Sequence, residues 1–266
     1  MAESAYVFQR VDDQRELERL RMIERVFDPA SRRRLLHAGL QSGWRCLEVG
    51  PGAGSIMNWM GEVVGSTGRV VAVDLDPKFL REVDQPNVSI VRADIRTAQL
   101  SQQSFDVVHA RYVLIHLADY EVALTKMLDC LKPGGWLVLE EPDFSASRGI
   151  VGEEEDLASV HKVNQAIAKM YVTLRMDYAL GLKLPALLQR RGLQDLVVEN
   201  DAPLCAGRSG MARVMKMSAE QLREKYLATG VVEQSDLERY CRFADDPSTW
   251  AIYYATIAVS GRKAGG

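Results

Sequence analysis

The sequence predicts an α/β fold: a doubly wound, mostly parallel sheet of seven strands carrying helical lid inserts. Two observations predict it. From about residue 44, short apolar runs alternate with helical patterns, the texture of repeated strand–helix–strand units. A glycine-rich turn, Glu48-Val49-Gly50-Pro51-Gly52-Ala53-Gly54, joins the first apolar run to the helix that follows it. Right-handed crossovers between such strands place helices on both faces of the sheet.

The elements follow in order. Residues 12–38 are charged, with Leu17, Leu20, Ile23 and Val26 recurring at helical spacing, so an amphipathic helix precedes the first strand. Pro29 separates it from a second helix, with Ser31 in place as an N-cap. WRCLEVG is the first strand, RVVAVDL the second, VSIVRAD the third and SFDVVHARY the fourth. Residues 119–131 form a helix stopped by Lys132-Pro133-Gly134-Gly135, and WLVLEE is the fifth strand. Residues 145–180 break the rhythm with an acidic start, Glu153-Glu154-Glu155-Asp156, and a long helical pattern. LPALLQRRG is a further helix, LQDLVVEND the sixth strand, and residues 211–245 are helical again. TWAIYYATIAVSGRK closes the chain as a single strand. The organisation is a helical lid segment (1–39), a core (40–144), a helical insert covering an acceptor (145–184), and a C-terminal part of the core (185–266) with its own insert at 211–245.

Composition limits the function classes. With 266 residues, 47% hydrophobic and 26% charged, the chain can bury a full core. Its net charge of −3 lacks the basic excess that phosphate contacts demand, which argues against nucleic acid as a partner. The N-terminus has no signal-peptide core, and no run approaches the ~20 apolar residues of a membrane span; a cytoplasmic protein is expected. Cys46, Cys130, Cys205 and Cys241 form no Cys-x-x-Cys pair and have no histidine cluster beside them, so they read as structural thiols and no metal is expected.

Five blocks carry chemistry. The glycine turn lets the backbone approach a ligand closely, with the next helix pointing its N-terminal amides at it. Its spacing departs from the dinucleotide pattern, because Ser55 stands at the third glycine position counted from Gly50. Asp74, ending the second strand, can accept from both hydroxyls of a ribose; Asp76 is the weaker candidate, since Asp before Pro is often only a helix N-cap. Asp94 and Ile95, after the third strand, can accept from an exocyclic amino group and pack on a flat base. Arg111 opens the loop after the fourth strand, at the carboxyl edge of the sheet where open α/β folds bind ligands. The fifth block is the Leu131–Trp136 turn.

In this order and spacing the blocks resemble the class I S-adenosylmethionine-dependent methyltransferases, a Rossmann-like superfamily. The resemblance is close over residues 40–144 and looser over 185–260. The leading helix, the Tyr6 region and the closing segment look like a bacterial group acting on quinones and secondary metabolites. The resemblance implies S-adenosylmethionine (SAM) as cofactor. Glu48, Gly50, Gly52 and Gly54 would hold its methionine part, Asp74 its ribose, Leu75, Asp94 and Ile95 its adenine, and Arg111 its amino-acid end. Pro51 removes one backbone donor from the turn.

The implied reaction is methyl transfer to a small-molecule acceptor. His116 is the candidate general base, and equally suits a side chain packed on the following helix. His161, Tyr171 and Tyr178 belong to the cover and could line the acceptor pocket. Glu140, Glu141 and Asp143 end the fifth strand at the functional edge, where one could face the acceptor. Met170, Met176, Met211, Met215 and Met217 suit an adaptable apolar pocket or ordinary helix packing. The amphipathic leading helix suits contact with a second copy of the chain. Rival readings are a nicotinamide-dependent oxidoreductase, a SAM-binding protein that does not transfer methyl, and a protein-directed methyltransferase.

Overall fold

The computed structural model describes residues 6–8, 11–80 and 85–265. Helix α1 (Asp13–His37) leads into β1 (Arg45–Val49), α2 (Ser55–Val64), β2 (Arg69–Asp74), β3 (Val88–Arg92) and β4 (Phe105–Arg111). Then come α3 (Tyr120–Cys130), β5 (Leu131–Asp143), β6 (Arg148–Val151), α4 (Glu154–Thr173), α5 (Leu180–Arg190) and β7 (Gln194–Asp201). The chain ends with β8 (Cys205–Ala206), α6 (Gly210–Gln221), α7 (Arg223–Leu227), α8 (Gln234–Asp245), β9 (Trp250–Ile252) and β10 (Ala255–Arg262).

The main sheet has seven strands in the order β3-β2-β1-β4-β5-β10-β7, with β10 antiparallel to both its neighbours. Chain order reverses between β1 and β4, the switch point at which open sheets form a ligand crevice. Strands β1, β2 and β4 are nearly continuous apolar runs because both faces are covered. Leu35, Ile56, Met57, Met60 and Val64 seal one face; Leu124, Met127, Leu184 and Leu188 seal the other. A third core lies between α4, α6 and α8, so the inserts pack as a cap of their own.

Two expected boundaries shift. Helix α1 runs unbroken through Pro29. Pro29 is exposed, while Phe27, Ser31, Arg34 and Leu35 on either side are buried, and that burial outweighs the single lost amide bond. Ser31 is therefore mid-helix, donating back to the Phe27 carbonyl, and caps nothing. The closing strand is two strands. Tyr253 and Tyr254, both buried, form the junction between them. The chain breaks there, sending β9 into a small sheet with β6 and β8 and β10 into the main sheet. Strand β4 also continues one residue further than expected, to Arg111. The inner face of α1 is covered by the chain's own α2 and α6.

Candidate active site

A cavity of about 480 Å³ opens at the carboxyl ends of β1, β2, β3 and β4 and runs under the helical cap. Glu48, Gly50, Gly52, Asp74, Leu75, Asp94, Ile95, Arg111 and His116 all line it. Gly54 does not. It sits behind the wall as the left-handed N-cap of α2, at φ +97°.

The glycine turn is shaped by need. Gly50 has φ +65°, and a Cβ there would lie 2.5 Å from Val113 Cγ2. A side chain there would be strained by the left-handed backbone and would collide with Val113. Asp74 accepts the Asp76 amide at 2.8 Å on Oδ1, and burial raises its carboxyl above the ordinary range. The Asp94 carboxylate is gripped by Arg96, whose hydrogen bonds hold it below the usual range, and Arg96 also reaches Asp119. A base amino group would share those oxygens with Arg96. Arg111 donates to Ser31 and Asp28 of α1, which ties the end of β4 to the leading helix.

Behind the turn lies a buried chain of charge. Glu48 is directly opposite His109 in the β1–β4 register, and its Oε2 is 2.7 Å from His109 Nδ1. His109 Nε2 is 3.1 Å from Glu140 Oε1, and Glu140 Oε2 accepts from Arg34 at 2.7 Å. His109 and Glu140 are each 0% exposed. Burial pushes the imidazole down, but the flanking carboxylates outweigh it and raise it to about 9. Burial likewise pushes Glu140 up, and His109, Arg111 and Arg34 outweigh that, leaving it at about 2. One oxygen of Glu48 is thus fixed by a cationic imidazole while the side chain still borders the cavity.

None of the three acids at the end of β5 lines the cavity. Glu140 serves His109 and Arg34. Glu141 accepts three consecutive amides, Val113, Leu114 and Ile115, and so holds the turn that carries His116. Burial pushes the Glu141 carboxyl up to about 8 against those three donors. Asp143 caps the turn at Ser145.

The inner half of the cavity is aromatic, with Tyr6, Phe8, Phe144, Tyr171, Tyr226 and Tyr254 on its walls. Tyr6 packs edge-on against His116, with centroids 4.9 Å apart. The buried Nδ1 of His116 has no hydrogen-bond partner among the described residues, and burial, then Arg19 and Lys225, lower its imidazole to about 3. It is therefore neutral at physiological pH. Of the other expected cover residues, Tyr171 and Met215 reach the cavity; His161, Tyr178, Met170, Met176, Met211 and Met217 do not. Sequence reasoning missed Arg19, Glu16, Phe8 and Phe144. Its apolar stripe on α1 skipped positions 16 and 19, which are buried despite their charge.

Among the described residues no group of His, Cys, Asp and Glu could hold a metal ion, and no helix is long and apolar enough to cross a membrane.

Residues 47–139 match the family model of a methyltransferase domain. The chain is 33% identical over 108 residues to a demethylmenaquinone methyltransferase of Staphylococcus aureus, covering 39% of this chain and 45% of the relative. It is 32% identical over 127 residues to the aklanonic acid methyltransferase DauC of a Streptomyces species, covering 45% and 58%. Each match spans less than two thirds of the relative's length. Among solved structures, phosphoethanolamine N-methyltransferase 2 of Haemonchus contortus, in complex with S-adenosyl-L-methionine, superposes with a TM-score of 0.54 at 20% identity over 84% of this chain and 49% of that one. The [4+2]-cyclase SpnF superposes with a TM-score of 0.55 at 16% identity over 85% and 78%. These likenesses establish the fold.

Proposed function

From the premise that residues 47–139 are a methyltransferase domain, we propose that the chain binds SAM and transfers its methyl group to a small, largely apolar acceptor. The observation that carries the reading is that one cavity joins the glycine turn to the aromatic chamber, so both reactants share one enclosure. The lining fits the cofactor: a turn a Cβ would block, an acid ending β2, and an apolar Ile95 beside Asp94. Gly50, Gly52 and Glu48 would hold the methionine end, Asp74 the ribose, and Leu75, Asp94 and Ile95 the adenine. When bound, SAM would supply a methyl activated on a sulfonium: an acceptor oxygen, nitrogen or carbon bonds to that carbon as the S–CH3 bond breaks, leaving S-adenosylhomocysteine (SAH), and a protic acceptor releases its proton to water.

The protein's part is alignment and exclusion of water, worth about 7–11 kcal/mol where the fit is good. Helices α1, α4, α6 and α7 close over the chamber and supply that exclusion. A neutral His116 is suited to orienting an acceptor hydroxyl by a hydrogen bond; at about 3 it is a weak proton acceptor. Relatives named for quinone and secondary-metabolite methylation support an acceptor of that class.

The test is SAH formation, read by mass spectrometry, from SAM and a panel of quinols, phenols and amines. Acceptor-dependent SAH with a methylated product is the expected result. Binding of SAM with no transfer to any member would favour a protein that uses the cofactor without transferring methyl.

A further inference from the structure

Arg19 is an arginine 5% exposed on the wall of an aromatic chamber. Its Nε and Nη2 donate to the two oxygens of Glu16 at 2.8 and 2.7 Å, and Nη2 also donates to the Tyr6 hydroxyl at 2.9 Å. Tyr6 in turn donates to Glu16 at 2.5 Å. The guanidinium lies over the Phe8 ring, 3.6 Å from its centroid. The cation is therefore fixed on one edge by Glu16 and on one face by Phe8, while Nη1 donates to none of the described residues. Burying a carboxylate–guanidinium pair costs several kcal/mol in desolvation that an apolar pair of similar size would avoid. Such a pair is weak evidence of a purely stabilising role, since apolar residues of similar volume often stabilise a fold as well. What the arrangement does supply is a rigid two-hydrogen donor edge, preorganised beside the neutral ring of His116 and among Tyr171, Tyr226 and Tyr254.

Resting on the reading of the cavity as a methyl-transfer site, we infer that Arg19 anchors an oxyanion of the acceptor, so that the substrate class is an aromatic body bearing a carboxylate, enolate or phenolate. Nη1 meets the oxygen, the aromatic walls take the rings, and Glu16 keeps the guanidinium from turning away. Of the cavity's other arginines, Arg111 is occupied by Asp28 and Ser31 and Arg96 by Asp94 and Asp119.

The test uses SAH-loaded protein and two isosteric probes, 1-naphthoate and 1-naphthamide, with affinities from isothermal titration. Wild type is expected to favour naphthoate by about tenfold or more, the scale of a charge-assisted bond in a desolvated site. In Arg19→Gln, and in Glu16→Gln/Arg19→Gln, where no acid is left unpaired, the two probes should bind within about twofold of each other, with SAH affinity unchanged. The double variant guards against a folding defect in the single one. Equal affinity of wild type for the probes, no binding of either, or a naphthoate preference that survives both substitutions with SAH bound, overturns the assignment. Failure of wild type to bind SAH at all overturns instead the methyl-transfer reading beneath it.

Discussion

Replacing His109 by Phe removes the one cation between two buried acids and leaves Glu48 and Glu140 facing a ring of similar size. The structure sets the size of the effect. Glu48 and Glu140 hold the imidazole at about 9 against its ordinary 6.5, despite complete burial, which corresponds to about 3 kcal/mol of preference for the charged form. Removing one partner from a buried ion pair costs about 3–5 kcal/mol in general, which agrees. In a chain of this length that is a fall in Tm of roughly 6–12 °C. The pH dependence has a definite sign. The folded state keeps the His109 proton up to about 9, whereas the unfolded chain loses it near 6.5. The contribution is fully present below 6.5, falls between 6.5 and 9, and is gone above. Urea unfolding of wild type and His109→Phe at pH 6.5, 8 and 9.5 should therefore show a gap that narrows by about 3 kcal/mol. A gap below about 1 kcal/mol at pH 6.5, or one that stays constant to pH 9.5, would refute the charged relay.

Gly50→Ala forces a side chain into a left-handed backbone 2.5 Å from Val113; SAH affinity should fall by about tenfold or more with a lowered Tm, and unchanged titration would mean the turn is not the binding surface. Glu141→Gln should make stability less steep in pH: the carboxyl's contribution is full below 4.5 and lost as pH rises through about 8, so the decline between 4.5 and 6.5, below the window in which His109 titrates, should shrink in the variant, and parallel unfolding curves would contradict it. His116, lowered to about 3, should leave no inflection in kcat/KM between pH 5 and 9, and an inflection near 6.5 that His116→Gln removes would show that it titrates as a base.

Much of the cavity's lining at the glycine turn was legible because chemistry and local backbone demand coincide there. Only glycine suits the turn at Gly50, and the strand periods place Asp74 and Asp94 at one sheet edge. The buried relay was not legible: Glu48, His109 and Glu140 lie near the same end of the sheet, but Asp106 and Arg111 share β4 with His109, and Glu141 and Asp143 share β5 with Glu140, so only the strand register singles the three out. What sequence could not give was decided by contacts distant in the chain. Burial on both sides carries α1 through Pro29. The last segment divides at Tyr253 and Tyr254 because β9 pairs with β6 and β8 while β10 pairs with β5 and β7, partners distant in the chain. The charged stripe Glu16–Arg19 lies inward because Tyr6 and Phe8 fold over it, and no periodicity of apolar residues encodes that. Fold likeness alone does not settle the reaction either, since a structure named as a cyclase superposes as well as one named as a methyltransferase.

The most direct measurement is isothermal titration of SAM and SAH into wild type and Asp74→Ala. Micromolar binding of both by wild type, lost in the variant while its Tm is retained, is the predicted result. No binding by folded wild type, or binding indifferent to the loss of the Asp74 carboxylate, would contradict the account.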